Sequence, residues 1–84
     1  MALMKINVLL FGACREAAGA GEMVCEIDGP ADVSAAWTAL KGRVPALAGY
    51  ERSALFAVNE EHARVTDSLK DGDTLAIFPP VSGG

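Results

Sequence analysis

An α+β fold, in which one helix packs on a mixed sheet of four or five strands, is predicted by this sequence. Apolar segments rich in β-branched and large residues lie near both ends of the chain, and such segments are typical of buried strands. Between them, only one segment repeats its apolar residues with a helical period. A length of 84 residues suits one domain with a modest core, so we predict a single domain over residues 1–84. A helix on one face of a sheet buries the apolar side of both.

The N-terminal part of the chain predicts a hairpin. Residues 5–11 (KINVLLF) favour a strand that ends at Gly12, and a loop follows over residues 12–21. Residues 22–27 (EMVCEI) predict a second strand, which ends at the turn-forming Asp28-Gly29-Pro30. These two strands are expected to pair with each other.

A helix of about ten residues is predicted after Asp32, which is a favourable N-cap. Four apolar residues share one helical face: Val33, Ala36, Trp37 and Leu40. Gly42 is expected to end the helix in a left-handed conformation, and Pro45 prevents its extension. We expect Trp37 to cover the sheet.

The C-terminal half predicts three further strands. Residues 54–58 form the first of these and are followed by a turn at 59–61, which includes Asn59. Residues 63–65 predict a brief edge strand, and Leu69 is expected in the core. A tight DGD turn then leads into the last strand at 74–78.

The resulting order is ββαβ(β)β, with the first and last strands side by side in the middle because they are the most apolar. This arrangement is the β-grasp, the ubiquitin-like architecture. A ferredoxin-like α+β sandwich is the alternative, but it needs two substantial helices and only one segment has a helical stripe.

Alternation within the strands predicts an apolar outer face near the C-terminus. If Val8 and Leu10 face the helix, then Leu9 and Phe11 face away from it, and Phe78 does the same in the last strand. An exposed apolar patch usually marks a partner site. Two alternatives remain, namely burial of the patch under the loop at 47–52 and burial in a homodimer.

Composition excludes several functions. The net charge of −4 and the scattered lysines and arginines argue against binding to nucleic acid. No segment is long and apolar enough to span a membrane.

Cys14 and Cys25 match no metal or redox motif, so we expect free thiols, a cytoplasmic location and no bound metal or cofactor. A nucleophilic pair of Cys14 with His62, which we expect in a turn, has no supporting motif.

The last six residues, 79–84 (PPVSGG), predict a flexible tail that begins on a stiff Pro79-Pro80 pair. Gly83 and Gly84 lack side chains and fit a narrow slot, where the Gly84 carboxylate is available to another protein. A carboxylate needs activation before it reacts, and no phosphate-binding loop is present to supply it. The activated carbonyl can accept either a sulfide or a lysine. A frayed end without function is the simplest alternative.

Two blocks of the sequence resemble one family. The segments VLLFGACREAAG (8–19), AVNEE (57–61) and DSLKDGDTLAIFPPVSGG (67–84) are similar to the small subunit of molybdopterin synthase, and the terminal FPPVSGG is the most specific part. The resemblance covers about half of the chain closely and implies the β-grasp fold.

The resemblance also implies a sulfur carrier within a heterotetramer of small and large synthase subunits. An adenylating enzyme would use ATP to activate Gly84, and a sulfur donor protein would convert it to a thiocarboxylate. The large subunit would then receive the tail, and the sulfur would pass to cyclic pyranopterin monophosphate during molybdenum cofactor synthesis. The residues expected to contact the partners are Phe11, Phe78, Pro79, Pro80, Val81 and Ser82.

The sequence departs from the family at two positions. Where the family often has an apolar residue on the outer face, this chain has His62, which bears on how the partner docks. Cys14 replaces an aliphatic residue and is expected to be a small core residue. Carriers for thiamine, cysteine or tRNA thiolation share this fold and ending, and so does a ubiquitin-like protein modifier. These, together with a plain interaction module, remain the alternative functions.

Overall fold

The computed structural model describes residues 2–80 and shows a five-stranded mixed sheet with a helical layer on one face. The helices are α1 (Gly12–Ala18), α2 (Val33–Arg43) and a 3₁₀ helix (Pro45–Tyr50). The strands are β1 (Ala2–Leu10), β2 (Glu22–Gly29), β3 (Ala31–Asp32), β4 (Leu55–Val58), β5 (Glu61–Ala63), β6 (Ser68–Leu69) and β7 (Thr74–Phe78).

The sheet order is β2-β1-β7-β4-β5, so the first and last strands lie at its centre as predicted. These two strands run parallel, with Val8 opposite Leu75 and Leu10 opposite Ile77, and the other neighbours are antiparallel. The β-grasp prediction is confirmed. The ferredoxin-like alternative is wrong because α2, with 11 residues, is the only substantial α-helix in the described part of the chain.

The core lies between the inner face of the sheet and α2. Fully buried residues from both layers meet there: Ile6, Val8, Leu10, Val33, Ala36, Leu40, Leu75 and Ile77. Trp37 covers the sheet as predicted, because its ring packs edge-on against Phe56 of β4 with 5.4 Å between the ring centroids. Leu69 is also buried, as expected. The apolar residues of both layers therefore account for the fold.

Asp32 caps α2, since its Oδ1 accepts a hydrogen bond from the backbone N–H of Ala35 at 2.9 Å. We expect Asp32→Ala to lower the free energy of unfolding by about 1 kcal/mol, because the helix would lose this acceptor. Urea denaturation measures the change. Asp32→Asn is the matched control, because its side-chain oxygen can accept the same bond; equal losses in both variants would contradict the capping role.

Two sequence predictions about helices were wrong. The segment 12–21 was expected to be a loop, but α1 occupies most of it and buries Cys14. Gly42 does not end α2, because the helix continues to Arg43 and Val44 is its C-cap. The Arg43 guanidinium donates a hydrogen bond to the Val24 carbonyl of β2 at 2.8 Å, which ties the last turn to the sheet.

The strand predictions were wrong mainly at element ends. Strand β1 stops at Leu10, so Phe11 lies just beyond it rather than in it. The predicted edge strand at 63–65 is β5 at Glu61–Ala63, and His62 therefore lies in a strand rather than a turn. Asn59 and Glu60 both have positive φ and form the two-residue turn before β5. The small pair β3 and β6 was not predicted.

Candidate functional site

The outer face of the sheet, opposite α2, carries an apolar patch near the end of β7. Cross-strand pairing places Leu55 opposite Phe78, and it places Ala76 between Ala57 and Leu9. We call the outer patch the set Leu9, Phe11, Leu55, Ala76 and Phe78. Leu55 and Phe11 are 43% and 41% exposed, which is high for large apolar side chains. The structure thus places Phe11 and Phe78 together on the face that strand alternation predicted.

The rings of Phe11 and Phe78 are stacked, with centroids 4.7 Å apart and an interplanar angle of 8°. The backbone of Phe11 stays extended after β1, and its N–H donates a hydrogen bond to the Ile77 carbonyl at 3.1 Å. This bond continues the contact between the two central strands by one residue. The chain then turns into α1 at Gly12, so the Phe11 ring stays outside the core.

The segment expected to cover the patch lies elsewhere. The 3₁₀ helix at Pro45–Tyr50 packs against α1 and α2, and its Leu47 is buried in the core on the inner side of the sheet. It therefore leaves Phe11 and Leu55 exposed, and burial of the patch under residues 47–52 is wrong. Burial in a homodimer stays a prediction.

Immediately after the patch, the chain passes close to the start of α1. Gly12 has a φ of +54°, and a Cβ added there would lie 2.9 Å from Pro79 Cγ. Pro79 is half-buried and Pro80 is exposed. The predicted residues Val81, Ser82, Gly83 and Gly84 lie outside the described residues, so their roles stay predictions. Flexibility of the tail at 79–84 stays a prediction as well.

His62 is exposed on β5 and pairs with Ala57, which places it at the rim of the outer patch. Cys14 belongs to α1 and is fully buried on the inner side of the sheet, as predicted for a small core residue. The two side chains are therefore on opposite sides of the sheet, and the Cys14–His62 pair is not formed. His62 instead adds a polar side chain to the edge of an apolar surface.

Both thiols are free and buried. Burial raises the pKa of Cys14. Burial also raises the pKa of Cys25, although the nearby positive charge of Arg43 lowers it in part. Thiols with raised pKa values stay protonated at neutral pH and are poor nucleophiles.

Two residues of the site were missed by sequence reasoning. The signal for Leu55 was present, because alternation in β4 puts Leu55 and Ala57 opposite to the buried Phe56. No sequence signal identified the close approach of Gly12 to Pro79, since it depends on how two distant segments meet. Over residues 2–80, no helix is long and apolar enough to cross a membrane.

Comparison with known proteins agrees with the sequence resemblance. The profile of the ThiS family matches residues 8–84. A molybdopterin synthase sulfur carrier subunit from Chlamydomonas reinhardtii is 40% identical over 83 residues, which cover 96% of this chain and 100% of that protein. The resemblance to molybdopterin synthase small subunits is therefore confirmed.

Solved structures share the fold as well. The crystal structure of SAMP1 from Haloferax volcanii aligns with a TM-score of 0.86 at 34% identity and covers 95% of this chain and 99% of that chain. A putative molybdopterin converting factor, subunit 1, from Pyrococcus furiosus aligns with a TM-score of 0.83 at 29% identity and covers 93% and 99% of the two chains. These similarities extend over nearly the whole chain.

Proposed function

This chain belongs to the ThiS family, and we propose that it is the sulfur-carrier subunit of a molybdopterin synthase. The names of relatives that it matches over nearly their whole length support this function. The single observation that carries the proposal is the position of the outer patch, which adjoins the root of a tail ending in Gly83-Gly84. The proposed docking surface is thereby connected directly to the reactive tail through Phe78.

The tail is long enough for the docking surface and the reacting carboxylate to contact the partner at two separate places. Six residues follow Phe78, the last of them Gly84, and an extended chain of that length spans at most about 20 Å. A partner that holds the outer patch can therefore receive the Gly84 carboxylate in a pocket up to that distance away. The absence of side chains on Gly83 and Gly84 suits entry into a narrow pocket.

The proposed chemistry takes place at the Gly84 carboxylate. An adenylating partner transfers AMP from ATP to the carboxylate and releases pyrophosphate. Sulfide, delivered by a sulfur donor protein, then displaces AMP and leaves a thiocarboxylate. In the large subunit the sulfur passes to cyclic pyranopterin monophosphate while water supplies the oxygen that restores the Gly84 carboxylate, and two such transfers build a dithiolene. ATP is a substrate of the activating partner in this scheme, and this chain supplies the group that is modified.

The state of the two cysteines supports the terminal carboxylate as the sulfur attachment point. A cysteine that carries sulfur as a persulfide has to be accessible and readily deprotonated. Cys14 and Cys25 are both at most 1% exposed, and burial raises the pKa of each thiol. Neither is therefore suited to relay sulfur between proteins.

The mass of the intact chain tests the proposal. We expect protein treated with the adenylating enzyme, ATP and a sulfur donor to gain about 16 mass units, which is close to the gain from oxidation of a methionine. Accurate mass of the C-terminal peptide separates the two changes, and omission of ATP is the control. An unmodified C-terminal peptide under these conditions would contradict the carrier function. Conversion of cyclic pyranopterin monophosphate by the thiocarboxylated chain and the large subunit then tests the recipient.

A second candidate is a protein modifier, in which the activated Gly84 forms an isopeptide bond with a lysine. The similarity to SAMP1 of Haloferax volcanii, whose full name is small archaeal modifier protein 1, favours this candidate. Tagged protein in cells would then appear in conjugates of higher mass that resist denaturation. A cell that forms molybdopterin normally without this chain, yet loses such conjugates, would favour the modifier over the synthase subunit.

A further inference from the structure

The root of the tail is held by two pairs of residues that face each other. Phe11 stacks on Phe78, and the next residue in each segment repeats the contact, since Gly12 lies against Pro79. A Cβ on Gly12 would lie 2.9 Å from Pro79 Cγ, whereas carbon atoms in favourable contact are about 3.5–4.0 Å apart. The Pro79 ring therefore occupies space that is available only because residue 12 has no side chain.

We propose that Gly12 is a positioning residue for the reactive tail. The inference rests on the proposed function, in which Gly84 must enter a partner's active site while the outer patch is docked. Gly12 provides the space that sets the path of the chain at Pro79. The proline ring fixes φ at this position and also restricts Phe78 before it, so these two residues hold one direction of the chain at the root of the tail.

The geometry of the tail makes this contact important. Five residues follow Pro79 as far as Gly84, which corresponds to at most about 17 Å of extended chain. A change of chain direction at Pro79 would therefore shift the point from which the rest of the tail starts, and with it the region that Gly84 can reach. Misplacement of a reacting group by about 1 Å can already lower a rate about 100-fold. A Cβ at residue 12 should consequently affect delivery of the carboxylate more than docking.

Gly12→Ala tests the proposal, with Gly19→Ala as the matched control. Both glycines flank or begin α1 and have positive φ, +54° and +75°, so alanine strains the backbone at each. Gly19 has no atom within 4 Å of an added Cβ, so only Gly12→Ala meets Pro79. We expect kcat for adenylation to fall about 10-fold in Gly12→Ala with KM within about threefold, and both constants to stay within about twofold in Gly19→Ala.

Pro79→Ala supplies the second half of a double-mutant cycle. Without the proline ring, a Cβ at residue 12 no longer collides with Cγ of residue 79. The kcat of Gly12→Ala/Pro79→Ala should therefore be at least about threefold higher than that of Gly12→Ala. Gly12→Asn carries the same Cβ and tolerates the left-handed region better, so it should repeat the loss of kcat if Gly12→Ala folds poorly.

The outcomes separate the two proposals. Three results would overturn the positioning role alone. The first is an equal kcat for Gly12→Ala and Gly19→Ala, and the second is a wild-type kcat in Gly12→Asn. The third is a kcat of the double variant that is reduced by the product of the two single losses. Failure of the wild-type chain to be adenylated would contradict the proposed function, and the positioning role with it. A rise in KM with unchanged kcat would assign Gly12 to docking and overturn positioning.

Discussion

Deletion of Gly84 is expected to lower sulfur transfer at least about 100-fold, because the shortened chain presents its carboxylate about 3.5 Å from the correct position. The deletion still leaves a glycine with a free carboxylate, at Gly83, so the chemical group is kept and only its reach changes. Strand β7 ends six residues earlier, at Phe78, and the core is unaffected. Molybdopterin formation with the large subunit measures the loss, and thermal unfolding should be unchanged.

Two controls distinguish the effect of tail length from other effects of altering the tail. An added glycine after Gly84 displaces the carboxylate by the same length in the other direction and should cause a similar loss. Ser82→Ala keeps the length and should retain activity within about threefold, because a hydroxyl is removed without moving the carboxylate. If the deletion variant kept more than about a third of wild-type activity, the exact position of the terminal carboxylate would not control sulfur transfer.

Elements with a strong local pattern were predictable from the sequence, and the remainder depended on contacts between distant segments. Strand β7 was predicted with its observed bounds at 74–78, because an apolar run is bounded there by a DGD turn and two prolines. The start of α2 was predicted equally well, because Asp32 is a strong cap. Both signals are contained within a few neighbouring residues.

The helix α1 and the end of α2 show where local reasoning failed. Helix α1 has seven residues, no side-chain cap and three glycines at or near its ends, so its sequence resembles a loop. It forms because Cys14 is buried against the core. Gly42 was predicted to end α2 in a left-handed conformation, but Gly42 and Arg43 are both helical, and the hydrogen bond from Arg43 to Val24 holds this last turn in place. These contacts join segments that are far apart in sequence.

In the candidate site, too, some features were predictable from local patterns and others were not. Alternation predicted which side of the sheet Phe11 and Phe78 occupy, because side chains of a strand point to opposite faces in turn. The stacking of the two rings and the contact between Gly12 and Pro79 could not be predicted, because they depend on the register between β1 and β7, which the sequence does not specify. Leu55 is an intermediate case, because its face was predictable but its position opposite Phe78 was not.

Leu55→Asp is expected to weaken binding of the large subunit by at least about 30-fold, or about 2 kcal/mol. Leu55 lies directly opposite Phe78 in the β4–β7 pairing and is 43% exposed, so it has apolar surface left for a partner to cover. A carboxylate buried there would lose its hydration without gaining a matched charge. Calorimetric titration of the large subunit with each variant gives the dissociation constant.

Val65→Asp is the matched control for this loss. Val65 is 45% exposed and the substitution adds the same charge, so long-range electrostatic effects should be similar. It lies away from the outer patch, because its carbonyl accepts a hydrogen bond from Ser34 in the first turn of α2 at 2.8 Å. We expect its dissociation constant to stay within about threefold of wild type, as should that of Leu55→Met, which keeps an apolar side chain of similar size. Equal weakening by Leu55→Asp and Val65→Asp would mean that added negative charge, rather than the apolar face beside the tail, governs docking.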